Sequence, residues 1–89
     1  MDATFSITGY ILTDTIGKDY LWVKTREGEN FLFHTHNLYD LFGTTSLPET
    51  VAVIEALGRK LVTVSGTIGL YRSHLSLYAD EVKVFWKHN

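Results

Sequence analysis

The chain lacks several features that would mark a secreted, membrane-bound or thiolate-metal protein. It contains no cysteine, which excludes disulfide bonds, thiolate metal sites and a cysteine nucleophile. Its first residues lack the basic region followed by an apolar stretch that marks a signal peptide. No apolar run approaches the roughly 20 residues that a membrane-spanning helix needs. These absences predict a cytoplasmic protein that does not associate with a membrane.

Excess positive charge is also missing. The sequence has eight Lys and Arg residues against ten Asp and Glu residues, and its formal net charge is −2. Tight binding to nucleic acid usually depends on many Lys and Arg contacts to phosphate. Any such binding must therefore come from a local patch of cations or be weak.

The motifs of common enzyme chemistry are absent as well. There is no G-x-S-x-G elbow, no P-loop and no G-x-G-x-x-G fingerprint. A chain of 89 residues closed around a filled core leaves little room for a buried pocket. His34 and His36 share a strand face and resemble a metal-binding pair, but nothing in the spacing supplies a third ligand. The sequence predicts a protein that is not an enzyme and holds no metal or cofactor.

The sequence does contain strand-like alternation of apolar and polar residues. This alternation runs over residues 60–70 and, after a short polar break, over residues 73–86. Because successive side chains of a strand point to opposite faces, the pattern predicts a long β-hairpin, interrupted near Asp80. Residues 4–13 alternate in the same way and predict a first strand, with Gly9 at a bulge or bend.

A second hairpin is predicted over residues 19–25 and 30–36, and its turn decides which face is buried. A two-residue loop at Glu27 and Gly28 would place Tyr20 and Trp22 on the face of the two phenylalanines of strand three. A three-residue loop with Gly28 as a bulge would instead join the alternate residues of strand two to those phenylalanines. We favour the bulged loop because it buries apolar residues on both strands. The residues that then face outward are Tyr20, Trp22, Lys24, Leu32 and His34.

The connection after this hairpin is predicted to be partly helical. Residues 38–42 fit one helical turn that ends at Gly43. Ser46 and Glu49 then form an S-x-x-E capping box, with Pro48 in the first turn of the following helix. Apolar residues continue at helical spacing up to Gly58, which is a good helix C-terminal stop.

The predicted order is strand, strand, strand, helix, strand, strand, with glycines in the middle of the first and fourth strands. This order resembles that of the OB-fold nucleic-acid-binding domains of the tRNA-anticodon-binding and single-strand-binding type. The local sequence is similar as well, at residues 8–11, 62–68, 75–77 and 80–84 and at Tyr71. The resemblance implies one mainly β domain over residues 1–89, a five-stranded Greek-key barrel with one α-helix between strands three and four. The family often has glycine between strands four and five, where this chain has Arg72, Ser73 and His74.

The resemblance also implies weakly selective binding of single-stranded DNA or RNA. Proteins with this fold stack bases on aromatic rings and line the groove with cations. The predicted nucleic-acid-binding residues are Tyr20, Trp22, Lys24, Arg26, His34, Tyr71, Arg72 and His74. In this prediction the rings of strand two stack bases, the lysine and the arginines contact phosphates, and the residues near the second hairpin tip line the rim. Tyr10 and Tyr78 either extend the surface or, as the pattern favours, are ordinary half-buried strand tyrosines.

The alternative function is a protein-interaction module, either an adaptor or a subunit of a homo-oligomer. It depends on apolar residues in the crossover and near the C-terminal end, which would form a partner-binding patch if they are not covered. Those residues are Leu38, Tyr39, Leu41, Phe42, Phe85 and Trp86.

Overall fold

A computed structural model describes residues 3–84 of the chain, except for the side chain of Tyr71. The strands are β1 (Ala3–Ile11), β2 (Tyr20–Lys24), β3 (Asn30–His34), β4 (Val62–Tyr71) and β5 (His74–Val84). A 3-10 turn, Thr13–Thr15, follows β1, and two helices, α1 (Leu38–Phe42) and α2 (Leu47–Leu57), connect β3 to β4. Neither of these helices has the length and apolar character needed to cross a membrane.

The five strands close into a barrel in the order β1-β2-β3-β5-β4. Every neighbouring pair is antiparallel except β3 and β5, which run parallel. This order, with the helical connection between the third and fourth strands, is that of the OB-fold barrel. The fold predicted from the sequence is confirmed.

Two glycines lie where the barrel must bend to close. At Gly9, β1 changes partner, because Gly9 is the last residue paired with β4 and Tyr10 the first paired with β2. A Cβ atom on Gly9 would lie 2.4 Å from the carbonyl oxygen of Lys24. Gly66 lies beside a register shift that leaves Asp80 without a partner on β4. The predicted interruption near Asp80 is therefore a β-bulge, through which β5 continues.

The β2–β3 hairpin has the bulged turn that the sequence favoured. Leu21 pairs with Phe33 and Val23 with Phe31. Gly28 has φ 89°, and its amide donates to the carbonyl of Thr25 at 3.0 Å. The loop thus contains residues 26–28, and the apolar side chains of both strands point into the barrel.

The core fills the barrel and extends under the helices. Its residues, all less than a tenth exposed, are Ile11, Leu21, Val23, Phe33, Leu38, Ile54, Val62, Val64 and Ala79. The ring of Phe5 stacks on that of Phe33, with centroids 5.3 Å apart. The single core joins all five strands to both helices.

Local hydrogen bonds set both helix starts, and the one at α2 was predicted from the sequence. Asn37 Oδ1 accepts from the amide of Tyr39 at α1, which ends at Gly43 with φ 67°. At α2, Ser46 Oγ accepts from the amide of Glu49 at 3.2 Å. The Thr45 hydroxyl and amide both donate to the Glu49 carboxylate, and they lower the pKa of Glu49 below its ordinary value.

The helical crossover does not form the exposed apolar patch on which the protein-interaction alternative depended. Leu38 is fully buried, and Leu41 and Phe42 pack against the core because α1 covers one end of the barrel. Tyr39 is half-buried. Phe85 and Trp86, the other residues of that prediction, lie outside the described residues. Within residues 3–84, the most exposed large apolar side chains belong instead to Leu70 and Leu75.

Candidate nucleic-acid interface

The outer face of β2 carries the residues predicted to contact nucleic acid. Tyr20 and Lys24 are exposed there, and Trp22 is half-buried. Across the β2–β3 ladder, Tyr20 lies opposite His34 and Trp22 lies opposite Leu32. The bulged turn produces this arrangement because it fixes the register that points these side chains away from the core.

A row of rings crosses this face from β2 to β5. His34 pairs with Tyr20 on one side and with Tyr78 on the other. The ring centroids of His34 and Tyr78 are 5.9 Å apart, with an interplanar angle of 42°. Tyr20, His34 and Tyr78 line a shallow groove of about 360 Å³ together with Asp19 and Thr35.

Two glycines make room for the tyrosines of this row. A Cβ atom on Gly17 would lie 1.9 Å from the Tyr20 ring, and one on Gly69 would lie 3.0 Å from the Tyr78 ring. Each tyrosine therefore lies against a backbone segment that has no side chain of its own. A side chain at either position would displace the ring beside it.

The tip of the β4–β5 hairpin carries the second group of predicted residues. Arg72 and Ser73 form its two-residue turn, with φ 51° and 68°. Arg72 and His74 are exposed, as predicted for the rim. The Tyr71 backbone pairs with His74, but the Tyr71 side chain lies outside the described structure.

Charged side chains lie at both ends of the barrel. Because β3 and β5 run parallel, the β2–β3 turn with Arg26 lies at the same end of the barrel as the β4–β5 turn with Arg72. Carboxylates lie beyond the opposite end of the ring row, where Asp40 and Asp80 line a groove of about 560 Å³ next to Tyr78. The β2–β3 turn also carries the exposed Glu27 and Glu29, so the cations of that end, Lys24, Arg26 and Arg72, are mixed with carboxylates. The groove beside Tyr78 is lined by Asp40 and Asp80 and by no Lys or Arg.

A further cleft, of about 810 Å³, lies between β1 and the end of α2, beside Lys24. Lys24 and Arg59 line it together with Asp14 and Glu55. Two cations and two carboxylates leave it without net charge. The cleft therefore adds no phosphate-binding patch to the ring face.

His34 and His36, which the sequence presents as a weak metal-binding pair, have different surroundings. His34 belongs to the ring row, whereas His36 is exposed and lines the acidic groove. Among residues 3–84, no group of three or more His, Asp or Glu side chains is arranged to hold a metal ion. His34 is thus placed to contribute a ring to the surface.

Tyr78 belongs to the ring row, although its sequence pattern favoured an ordinary half-buried strand tyrosine. Alternation along β5 places it on the face of Ser76 and His74, a pattern equally typical of an ordinary strand tyrosine. Its place beside His34 depends on the parallel pairing of β3 with β5. That pairing joins segments 44 residues apart in sequence, and no local signal reports it.

Comparisons with known proteins bear on the fold. No protein-family model and no curated protein matches the chain. A chain in a crystal structure of the S. pombe Stn1-Ten1 complex matches with a TM-score of 0.60 and 21% sequence identity. The match covers 98% of this chain and 60% of that chain, so this chain spans about three fifths of the length of the structure that it matches. At this identity the likeness shows a shared OB fold.

Proposed function

We propose that this OB-fold domain is a non-catalytic module that binds single-stranded DNA or RNA with weak sequence selectivity. The observation that carries the proposal is the row of Tyr20, His34 and Tyr78 on one outer face, with Trp22 on the same face. Single-strand-binding proteins stack bases on such rings, and stacking accepts any base because every base has a π-face.

The charges favour one placement of the strand. Phosphates would lie near Lys24, Arg26 and Arg72, where Glu27 and Glu29 of the same turn reduce the attraction. The bases would point toward the rings, since the carboxylates of Asp40 and Asp80 repel phosphate from the other end. His74 would stand at the rim near Arg72, and Tyr71 is proposed for the same rim.

Few cations and a net charge of −2 imply weak, salt-sensitive binding. Three phosphate contacts to a single strand predict a slope of about −2 for the logarithm of the affinity against the logarithm of the salt concentration. Stacking must then supply most of the remaining affinity, at about 1–3 kcal/mol per base.

The test is a titration with oligo-dT and oligo-U at low salt, followed by tryptophan fluorescence. The chain has two tryptophans, so a Trp86→Phe background lets the signal report Trp22, and fluorescence anisotropy of a labelled oligonucleotide reports binding to variants that lack Trp22. Trp22→Leu keeps the apolar bulk opposite Leu32 but removes the ring, and should weaken binding about tenfold or more. Tyr20→Ala should have a similar effect.

Matched variants distinguish phosphate contacts at the proposed surface from general effects of the protein's charge. Lys24→Gln with Arg26→Gln should lower both the affinity and the salt slope, whereas Lys83→Gln, on an exposed lysine paired with Glu81, should change neither. The absence of detectable binding at micromolar protein in low salt would refute the proposed function. Equal losses from the Lys24 and Lys83 variants would refute the assigned surface.

The second candidate function is a protein-interaction module, an adaptor or an oligomer subunit. It is favoured by the exposure of Leu70 and Leu75, at 73% and 79%. The similar chain from S. pombe was itself crystallised in a complex named for two components. Light scattering coupled to size exclusion distinguishes the cases. A salt-insensitive dimer supports a homo-oligomer, and a monomer that forms a stoichiometric complex with another protein supports an adaptor.

A further inference from the structure

The end of the β4–β5 hairpin projects beyond the barrel as a two-stranded arm, residues 69–76. Pairing between β1 and β4 begins at Ile68, and pairing between β3 and β5 begins at Leu77. Within residues 3–84, the strands of the arm therefore pair only with each other. Neither edge of the arm has a neighbouring strand there.

The arm has two chemically different faces. Leu70 and Leu75 lie directly opposite each other, two residues beyond the Ile68 and Leu77 pair. Because side chains alternate along a strand, the leucines share the face of Leu77, which packs against the core. His74 lies on the other face, which is continuous with Tyr78 and the ring row. The leucine pair thus continues the core face past the end of the barrel, into solvent.

The arm's turn is also unusual. Arg72 and Ser73 both have positive φ, 51° and 68°, in a turn where asparagine and glycine are preferred. Non-glycine residues in this region are strained, and such strain often marks a functional segment. Single exposed apolar residues are common on soluble proteins, but here two are opposed at a strained tip.

We propose that the leucine face of this arm inserts into an apolar groove of a partner protein, while the opposite face stays available to nucleic acid. Leucine has no ring on which a base can stack, so the leucine face suits protein better than a single strand. The arm contains an arginine and a histidine and no carboxylate, in a chain of net charge −2. The partner's groove is accordingly expected to have an acidic rim.

The small area of the leucine face decides between a partner protein and a second copy. Two leucine side chains offer at most a few hundred Å², whereas each partner in a standard interface contributes about 800 Å². The pair alone is too small to hold a symmetric dimer together. It fits the anchor of a larger interface in which the partner supplies the groove. This deepens the protein-interaction candidate and does not depend on nucleic-acid binding.

The test begins with p-benzoylphenylalanine placed at Leu75 of the full chain, crosslinked in cells of the natural source, with a second probe at Val53 as control. Val53 is also an exposed apolar residue, on α2. A protein crosslinked from position 75 but not from position 53 is then identified, purified and titrated with the unlabelled chain. We expect one-to-one binding. The double variant Leu70→Thr, Leu75→Thr should weaken this binding about tenfold to a hundredfold.

Threonine favours strands and both leucines are exposed, so the double variant should melt like the wild type. Arg72→Glu provides a second variant, and it should weaken the same complex because it reverses the charge facing the acidic rim. Val53→Thr and Trp22→Leu should leave the affinity unchanged. A crosslink to nucleic acid or to a second copy, the same crosslinks from both probe positions, or no crosslink from position 75 would overturn the proposal. Undiminished affinity of the double leucine variant would overturn the arm's role even where the complex itself is real.

Discussion

The β2–β3 and β4–β5 hairpins both join antiparallel strands, but they differ in turn, length and exposed surface. The β2–β3 hairpin is short, and its turn contains a glycine with positive φ. Its outer face presents rings and cations. Within residues 3–84, the β4–β5 hairpin continues past its pairing with β1 and β3. It turns on Arg72 and Ser73 and exposes two leucines at its tip.

The comparison separates two kinds of constraint on a hairpin. In β2–β3 the constraint is local, because Gly28 supplies a backbone angle and nothing lies within 4 Å of the Cβ position there. In β4–β5 the constraint is tertiary, because Gly66 lets two strands approach where the barrel bends. The two hairpins should therefore respond differently to equivalent substitutions.

Gly66→Ala should have the largest effect on the stability of the fold. Its Cβ would lie 1.9 Å from the carbonyl oxygen of Tyr78 and 3.0 Å from the amide nitrogen of Asp80. Backbone atoms cannot rotate away, so the bulge must be displaced, and we expect the free energy of unfolding to fall by about 3 kcal/mol. Urea denaturation measures this change, with Ser65→Ala as the neighbouring control. A loss no greater than that of the control would show that the bulge adapts freely.

Gly28→Ala should lower the free energy of unfolding by less, about 1 kcal/mol, because only the positive φ of 89° opposes a side chain there. The same denaturation series measures it, and Glu27→Ala is the matched control in the same turn. If Gly28→Ala proved as damaging as Gly66→Ala, the distinction between local and tertiary constraint would fail.

Ser73→Gly should change the free energy of unfolding least, and it should raise it. Glycine relieves the φ of 68° but loses more chain entropy on folding, which leaves a net gain of about 0.5 kcal/mol. Ser6→Gly, in an exposed position of β1, should instead be destabilising. A loss of stability from Ser73→Gly would mean that the turn is not strained, and would remove one support for the proposed role of the arm.

Much of the fold could be predicted because its signals are local. Alternation placed every strand to within a few residues, and the Ser46 and Glu49 capping box marked the start of α2. Gly28 allowed the bulged turn to be preferred. These signals act over a few residues, where backbone geometry and hydrogen bonding decide the conformation.

The candidate site was only partly predictable because only some of its signals are local. Alternation put Tyr20, Trp22 and Lys24 on one face of their strand, and only the preference for the bulged turn predicted that this face is the outer one. It did not show that Tyr78 would lie beside His34, or that carboxylates would line the opposite end. Those placements depend on strands that meet only when the barrel closes.

The sequence by itself determined the strands and the capped start of α2, because each follows from neighbours along the chain. For the β2–β3 hairpin it left two faces open and favoured the bulged turn, and the observed register agrees with that preference. Only the tertiary structure decided where the barrel ends relative to the β4–β5 hairpin. Leu70 continues the alternation of Val62 and Val64 along β4, and nothing local distinguishes it from them. The valines are buried and Leu70 is exposed because, within residues 3–84, β1 pairs with β4 at both valines and not at Leu70.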